Sequence, residues 1–183
     1  MRRLALYGLP GAGKSTFAAF LADEFAAVGA NATVVKLGAP LYELQSLVYA
    51  TAGRPLLTAT QQDGLLLNDL AVHLRRINPD ALTEFFAAKV DSAPHDMALI
   101  CDDMRAPDVE AMEAMGFVLV EVHAPEAVRL ARKHKRADLT KGRDDHPTEA
   151  PIDRRPAHRI ANVGNLTALR NQAAGVVAEV MTR

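Results

Sequence analysis

The sequence predicts an α/β domain built on a parallel five-stranded sheet with helices on both faces. Three observations carry that prediction. Short apolar runs alternate with stretches whose apolar residues recur at helical spacing. Hydrophobic residues make up 49% of the 183, enough to bury a sheet on both sides. A glycine-rich segment, Gly8 to Ser15, joins the first apolar run to the first helical stretch.

The elements follow in order. Leu4 to Tyr7 is apolar and ends at a glycine, which predicts a buried first strand. Lys14 to Val28 carries Phe17, Phe20, Leu21, Phe25 and Val28 at helical spacing, with Gly29 as its C-cap. Ala32 to Leu37 is short and β-branched, a second strand. Pro40 suits the first turn of a helix running to about Thr51. Two more helices are expected, at Thr60 to Arg75 and at Pro79 to Val90, the latter capped by Asn78. Met97 to Cys101 and Phe117 to Val122 read as the third and fourth strands. Pro125 to Arg136 is a basic helix, followed by a polar, turn-rich stretch from Ala137 to Glu149. Arg159 to Val163 reads as the fifth strand, and Asn165 to about Met181 as the last helix. The helices between the second and third strands interrupt simple alternation. They form an insertion beside the carboxyl edge of the sheet, where α/β proteins bind ligands.

One domain accounts for residues 1–183. With 21 basic and 22 acidic residues, the chain lacks the charge of a protein devoted to nucleic acid. Its apolar runs are too short to span a bilayer, and Arg2 and Arg3 lead straight into the first strand without a signal-peptide pattern. A single cysteine excludes an intrachain disulfide and a multi-cysteine zinc site. These features predict a cytoplasmic protein, with no nucleic-acid or membrane partner and a homodimer left open. Cys101 lies within an apolar strand and reads as a small buried hydrophobe.

Gly8-Leu9-Pro10-Gly11-Ala12-Gly13-Lys14-Ser15 fits G-x-x-x-x-G-K-[ST], between a strand and a helix as the mechanism requires. Such a phosphate loop (P-loop) turns backbone N–H groups toward an anion and adds the positive end of a helix dipole. Gly11, Ala12, Gly13, Lys14, Ser15 and Thr16 are therefore candidates to hold ATP. Lys14 would reach its outer phosphates, and Ser15 would ligate Mg²⁺. No N-K-x-D segment is present to specify guanine, and the chain is short for a motor or helicase.

Four further segments resemble those of nucleoside monophosphate kinases, most closely the phage-type deoxynucleoside monophosphate kinases. They are Lys36-Leu37-Gly38-Ala39-Pro40-Leu41, Arg75-Arg76-Ile77-Asn78-Pro79-Asp80, Asp103-Met104-Arg105 and Asp145-His146-Pro147-Thr148-Glu149. The resemblance runs over nearly the whole chain. It implies a P-loop NTPase fold with a helical acceptor-binding region at about 38–92 and a lid at about 129–149. The Asp-x-Arg and lid features also resemble P-loop phosphomevalonate kinases. The Asp-Gly-Phe-Pro-Arg segment of adenylate kinases is absent.

An acceptor bearing a phosphate needs fixed cations, preferably arginines. Arg105, leaving the end of a strand, and Arg75 and Arg76, ending a helix, suit that need. The latter two also read as dipole partners on a solvated surface. Lys36 is a further acceptor candidate, or simply an exposed strand-end lysine without an acidic residue alongside it. Asp102 and Asp103 close an apolar strand where a carboxylate would hold Mg²⁺, bind an acceptor hydroxyl, act as base or cap the strand. The resemblance selects Asp103, with Asp102 behind it. Arg129, Arg132, Lys133 and Arg136 share one helical face, an ordinary solvated face or a lid bringing Arg132 and Arg136 over the transferring phosphoryl group. His146 and Glu149 would contact the acceptor or tie the lid down. Asn162-Val163-Gly164-Asn165-Leu166 resembles a loop that packs on adenine, so Asn162 and Gly164 are cofactor candidates; Asn165 also reads as an N-cap.

The expected activity is transfer of the γ-phosphoryl group of Mg-ATP to a (deoxy)nucleoside monophosphate, with Lys14, Asp103, Arg105, Arg132 and Arg136 as catalytic candidates. The alternatives are a P-loop kinase acting on another small metabolite, and a nucleotide-binding switch that hydrolyses ATP slowly.

Overall fold

The first apolar run forms strand β1 (Arg3–Tyr7), flanked on both sides in a fully parallel sheet of order β2–β3–β1–β4–β5. The structure, a computed structural model, describes residues 2–58, 61–135, 138–140, 146–147 and 150–182. The remaining strands are β2 (Ala32–Val35), β3 (Ala98–Cys101), β4 (Val118–His123) and β5 (His158–Ala161). Alternation along β1 divides the core: Leu4 and Leu6 face one side of the sheet, Ala5 and Tyr7 the other. The five parallel strands and their flanking helices match the predicted architecture.

Helix α1 (Lys14–Ala27) covers the first face with α7 (Leu166–Thr182). Phe17, Leu21 and Phe25, one helical stripe, meet Leu169, Ala173 and Val177 over Leu4 and Leu6. Each fully buried side chain of this size contributes about 1.5–3 kcal/mol. Helix α1 ends as the sequence predicts. Gly29 takes a positive φ of 76°, and the Ala30 N–H closes on the Phe25 carbonyl at 2.9 Å.

The second face is covered by α4 (Ala81–Ser92) and α5 (Val109–Ala114). Leu82, Phe86, Val90, Val109 and Met112 bury against Ala5, Leu99 and Leu119. Phe86 and Phe117 lie 5.5 Å apart between ring centroids, tilted by 51°. Helices α2 (Ala39–Thr51), α3 (Gly64–Ile77) and α4 form the run between β2 and β3, α2 packing on α3 and α3 on α4. The remaining helix, α6 (Glu126–Lys135), follows β4.

Two local expectations change. Asn78 is the C-cap of α3 rather than the N-cap of the following helix, which starts three residues later. Its side chain accepts from the Asp80 N–H and donates to Glu84, so it turns the chain between the two helices. The segment after β3, to which the sequence assigns no element, forms a 3₁₀ turn (Ala106–Asp108) and then the short α5. Among the described residues no helix is long and apolar enough to cross a membrane. The lid prediction falls in part on residues 136–137, 141–145 and 148–149, which lie outside the described residues, as do Arg136 and Glu149.

Candidate active site

The phosphate loop leaves the carboxyl end of β1 and becomes the first turn of α1. Gly13 caps that helix at φ 98°, ψ 23°, a left-handed conformation suited to glycine. A Cβ there would stand 2.2 Å from Asn162 Nδ2, and one on Gly8 would stand 2.1 Å from the Val122 carbonyl oxygen. Both glycines are therefore demanded by close approach as well as by φ. Lys14 is buried, its Nζ donating to the Gly8 carbonyl at 2.6 Å across the mouth of the loop. Ser15 and Thr16 are exposed on the first turn of α1.

The outer side of the loop is held by donors from two other elements. Arg129 and Arg132, one turn apart on α6, face it together. Arg129 donates to the Pro10 carbonyl at 3.2 Å, and Arg132 Nη1 lies 3.4 Å from the carbonyls of Gly11 and Ala12. Arg132 Nη2 also donates to Asn162 Oδ1 at 3.2 Å, while Asn162 Nδ2 donates to the Ala12 carbonyl at 2.8 Å. The predicted lid arginine Arg132 is thus engaged with the back of the loop, because carbonyl oxygens there attract the guanidinium.

On the other side the loop opens into a cleft of about 410 Å³. Gly8, Leu9 and Ala12 form its loop wall, Met104, Arg105 and Ala106 the wall after β3, and Glu121 to Ala124 the end of β4. Glu126, Arg129 and the strap Ala150 to Ile152 complete it, with Tyr7 at the floor. This is the carboxyl edge of the sheet, where open α/β sheets bind ligands. Tyr7 and Glu121 are register partners, so both project from the same face. Burial, and then the charge of Glu121, raises the Tyr7 phenol above its ordinary value, while Arg159 pulls the other way. Arg159 in turn pairs with Glu121 at 2.6 Å. The cleft therefore combines apolar walls with two arginines, two carboxylates and a histidine.

The carboxylates after β3 are both engaged. Asp102 is buried and pairs with Lys36 at 2.5 Å. The acidic neighbour that Lys36 lacks in sequence is supplied by the pairing of β2 with β3. Asp103 accepts from the backbone N–H groups of Leu37 (2.8 Å) and Gly38 (3.0 Å), fixing the start of α2. Burial, and then the charge of Asp102, raises the Asp103 carboxyl above the ordinary carboxylate value, against the pull of those amides and Lys36. Two adjacent carboxylates with one lysine leave negative charge that a divalent cation would offset. Among the described residues no group of three or more His, Cys, Asp or Glu side chains forms a closed metal site. An ion carried in with a nucleotide needs no such cage, since Mg²⁺ keeps phosphate oxygens and waters as ligands. The exposed Ser15 hydroxyl and the Asp102–Asp103 pair fit that mode.

The predicted acceptor residues separate. Arg105 lines the cleft, whereas the lining does not include Lys36, Arg75, Arg76 or His146. Arg75 donates to Asp108 Oδ1 at 2.8 Å in an ion pair whose carboxylate is 1% exposed, and Arg76 is exposed at the end of α3. The same Asp108 accepts from the Arg105 backbone N–H at 3.0 Å. Its place in the site carries no sequence signal, because it follows from where α3 ends relative to the turn after β3. Glu121 had one: a lone carboxylate inside the apolar run of β4. Asn165 accepts from the Ala168 N–H at 2.9 Å, the N-cap geometry read from the sequence. Gly164 precedes it, with Val163 and Leu166 exposed alongside. Cys101 is fully buried, and burial, followed by the charge of Asp103, holds its thiol well above the ordinary value.

No protein-family model matches the sequence, and no curated protein matches it. Solved structures do share its fold. The APS kinase of Mycobacterium tuberculosis, in complex with AMPPNP and APS, superposes with a TM-score of 0.55 at 17% identity, over 100% of this chain and 99% of that one. The shikimate kinase of Acinetobacter baumannii, in complex with shikimate, gives 0.54 at 13%, over 100% and 94%. A gluconokinase of Sinorhizobium meliloti 1021 gives 0.51 at 18%, over 98% and 93%. The chain thus has the α/β fold that these P-loop kinases share.

Proposed function

We propose that the protein is a phosphotransferase that moves the γ-phosphoryl group of Mg-ATP to a small acceptor seated in the cleft beside the phosphate loop. One observation carries the reading: the loop and a partly apolar cleft that also holds arginine and carboxylate side chains share a wall, with Gly8, Leu9, Arg105 and Glu121 lining one space. A nucleotide-hydrolysing switch needs no second ligand site opening onto its phosphate loop. In this reading the loop amides and Lys14 hold the donor, and Ser15 with Asp102 and Asp103 manages Mg²⁺. Arg105 orients the acceptor. Catalysis is positioning and charge neutralisation, without a covalent enzyme intermediate.

The acceptor we propose is a (deoxy)nucleoside monophosphate. Arg105 suits a phosphate, and the walls formed by Tyr7, Leu9, Met104 and Ile152 suit a flat base. A second reading has its own support. Glu121 and Glu126 line the cleft and favour hydroxyl groups, and structures of similar fold carry shikimate or APS. ADP formation from Mg-ATP, measured against ribo- and deoxyribonucleoside monophosphates with a no-acceptor control, tests the proposal. Strong stimulation by one or two of them supports the first reading. Stimulation only by phosphorylated or hydroxylated metabolites supports the second. Slow ADP release that no acceptor changes would overturn both.

A further inference from the structure

The phosphate loop is gripped from behind. Among the described residues Gly8 and Pro10 to Ala12 each offer a carbonyl to a side-chain donor, and the donors Arg129, Arg132 and Asn162 come from outside the loop. The strongest external contact is that of Asn162, 4% exposed, whose Nδ2 lies 2.8 Å from the Ala12 oxygen. Its amide can be oriented only one way. Oδ1 receives Arg132 Nη2 at 3.2 Å, so the nitrogen is the group that meets the carbonyl. Asn162 is itself rigid. Its backbone N–H donates to the His123 carbonyl at 2.7 Å, and Gln172 of α7 brackets the preceding Ala161 at both its N–H and its carbonyl.

Across a trans peptide the carbonyl and the following N–H point in opposite directions, and among the described residues no peptide bond is cis. Fixing the Ala12 oxygen outward therefore fixes the Gly13 N–H inward, toward the space a phosphate occupies. The Pro10 carbonyl, held by Arg129, directs the Gly11 N–H in the same way. The Gly11 carbonyl is different, since the N–H on its far side, that of Ala12, already closes the turn on Leu9 at 3.1 Å.

We infer that Asn162 is a positioning residue for phosphate binding: with Arg132 behind it, it turns the Ala12–Gly13 peptide so that the Gly13 N–H faces the nucleotide's phosphates. It acts through the loop backbone and not on the base, although it opens the segment that the sequence relates to adenine. Gly13 is required for the same reason, since a side chain there would occupy the place of the Asn162 amide. The inference rests on the phosphate-loop reading of Gly8 to Ser15 and is independent of which acceptor the protein uses.

Asn162→Asp tests it. The variant keeps the shape of the side chain but sets an acceptor against the Ala12 carbonyl, which favours turning the peptide over. The measurement is the dissociation constant of Mg-ATP and of inorganic tripolyphosphate, the latter having no base to read. Both should weaken by about tenfold and by the same factor, the effect of one lost buried hydrogen bond. Loss with Mg-ATP but not with tripolyphosphate would overturn the inference in favour of base contact. Unchanged affinity for both would overturn it while leaving the phosphate loop intact. A wild-type chain that binds neither overturns the loop reading, and the inference with it. Should Asn162→Asp fail to fold, Arg132→Gln, on a part-exposed side chain, carries the same comparison with a smaller but parallel loss.

Discussion

Asp108 shows how much a single side chain can organise. Its oxygens divide between two of the arginines that the sequence assigns to the acceptor, one held through its guanidinium and the other through its backbone. Arg75 is therefore half of a buried ion pair, and its charge is committed to Asp108 before any ligand arrives. Arg105 keeps its side chain at the cleft, with its backbone pinned by the same carboxylate. Removing one partner from a buried pair costs about 3–5 kcal/mol, and here less, because the Arg75 side chain keeps 16% of its exposure. Asp108→Asn should accordingly lower the melting temperature and, in the kinase proposed here, raise the acceptor KM several-fold while leaving the KM for Mg-ATP nearly unchanged. Arg105→Ala should raise the acceptor KM further, with a smaller loss of stability than Asp108→Asn. Two-substrate kinetics beside thermal melts separate the cases. A parallel rise in both KM values for Asp108→Asn would show that Asp108 supports the whole domain and not the acceptor side.

At the scale of elements, a second carboxylate ties the stretch after α6 to the helices between β2 and β3. Asp63 caps α3 through the Leu66 N–H at 3.1 Å, and receives the hydroxyls of Tyr49 and Thr140. Backbone contacts reinforce the tie, from Gly64 N–H to the Thr140 carbonyl and from Leu139 N–H to the Gln62 carbonyl. Burial raises the Asp63 carboxyl, but the hydrogen bonds from Thr140, Tyr49, Leu66 and Leu65 together outweigh it and bring it below the ordinary value of 3.8. A depressed carboxyl adds stability above its unfolded value, and that stability is lost as pH falls through the folded one. Asp63→Ala should therefore destabilise the fold most near neutral pH, by about 1–2 kcal/mol for the cap alone, read as a lower melting temperature. The gap from wild type should close below the carboxylate range, and a gap constant with pH would argue against an ionised cap. No periodicity announces such a contact. Helices and strands were legible because their apolar spacing is local, and the loop because its glycines, lysine and serine are contiguous. Asn78 was misread since an asparagine caps either end of a break equally well from sequence. Lys36 with Asp102, Arg75 with Asp108 and Asp63 with Thr140 were illegible for a common reason: each joins residues dozens of positions apart, and only strand order and helix packing bring them together.

For the whole molecule, the loop lies at the join between ligand and core. Helix α1 begins at Lys14 and carries Phe17, Leu21 and Phe25 into the cluster shared with α7, so the first turn cannot shift without disturbing that face. The donors behind the loop belong to α6 and to the end of β5, which draws the far side of the sheet into the same unit. Phosphate bound at the loop should thus stabilise the domain as a whole. Mg-ATP at about a hundred times its dissociation constant adds about 2.7 kcal/mol to unfolding, a rise of roughly 5–10 °C for a chain of this size. Lys14→Ala should abolish that rise, because it removes a cation anchored inside the loop mouth, at the Gly8 carbonyl. The comparison is between shifts with and without nucleotide, so any change in the variant's own melting temperature drops out. Inorganic tripolyphosphate should reproduce most of the shift and adenosine little of it, since in the reading proposed here the phosphates meet the loop and the base only the exposed edge near Val163 and Leu166. A full shift in Lys14→Ala, or one produced by adenosine alone, would mean that the nucleotide binds away from the loop.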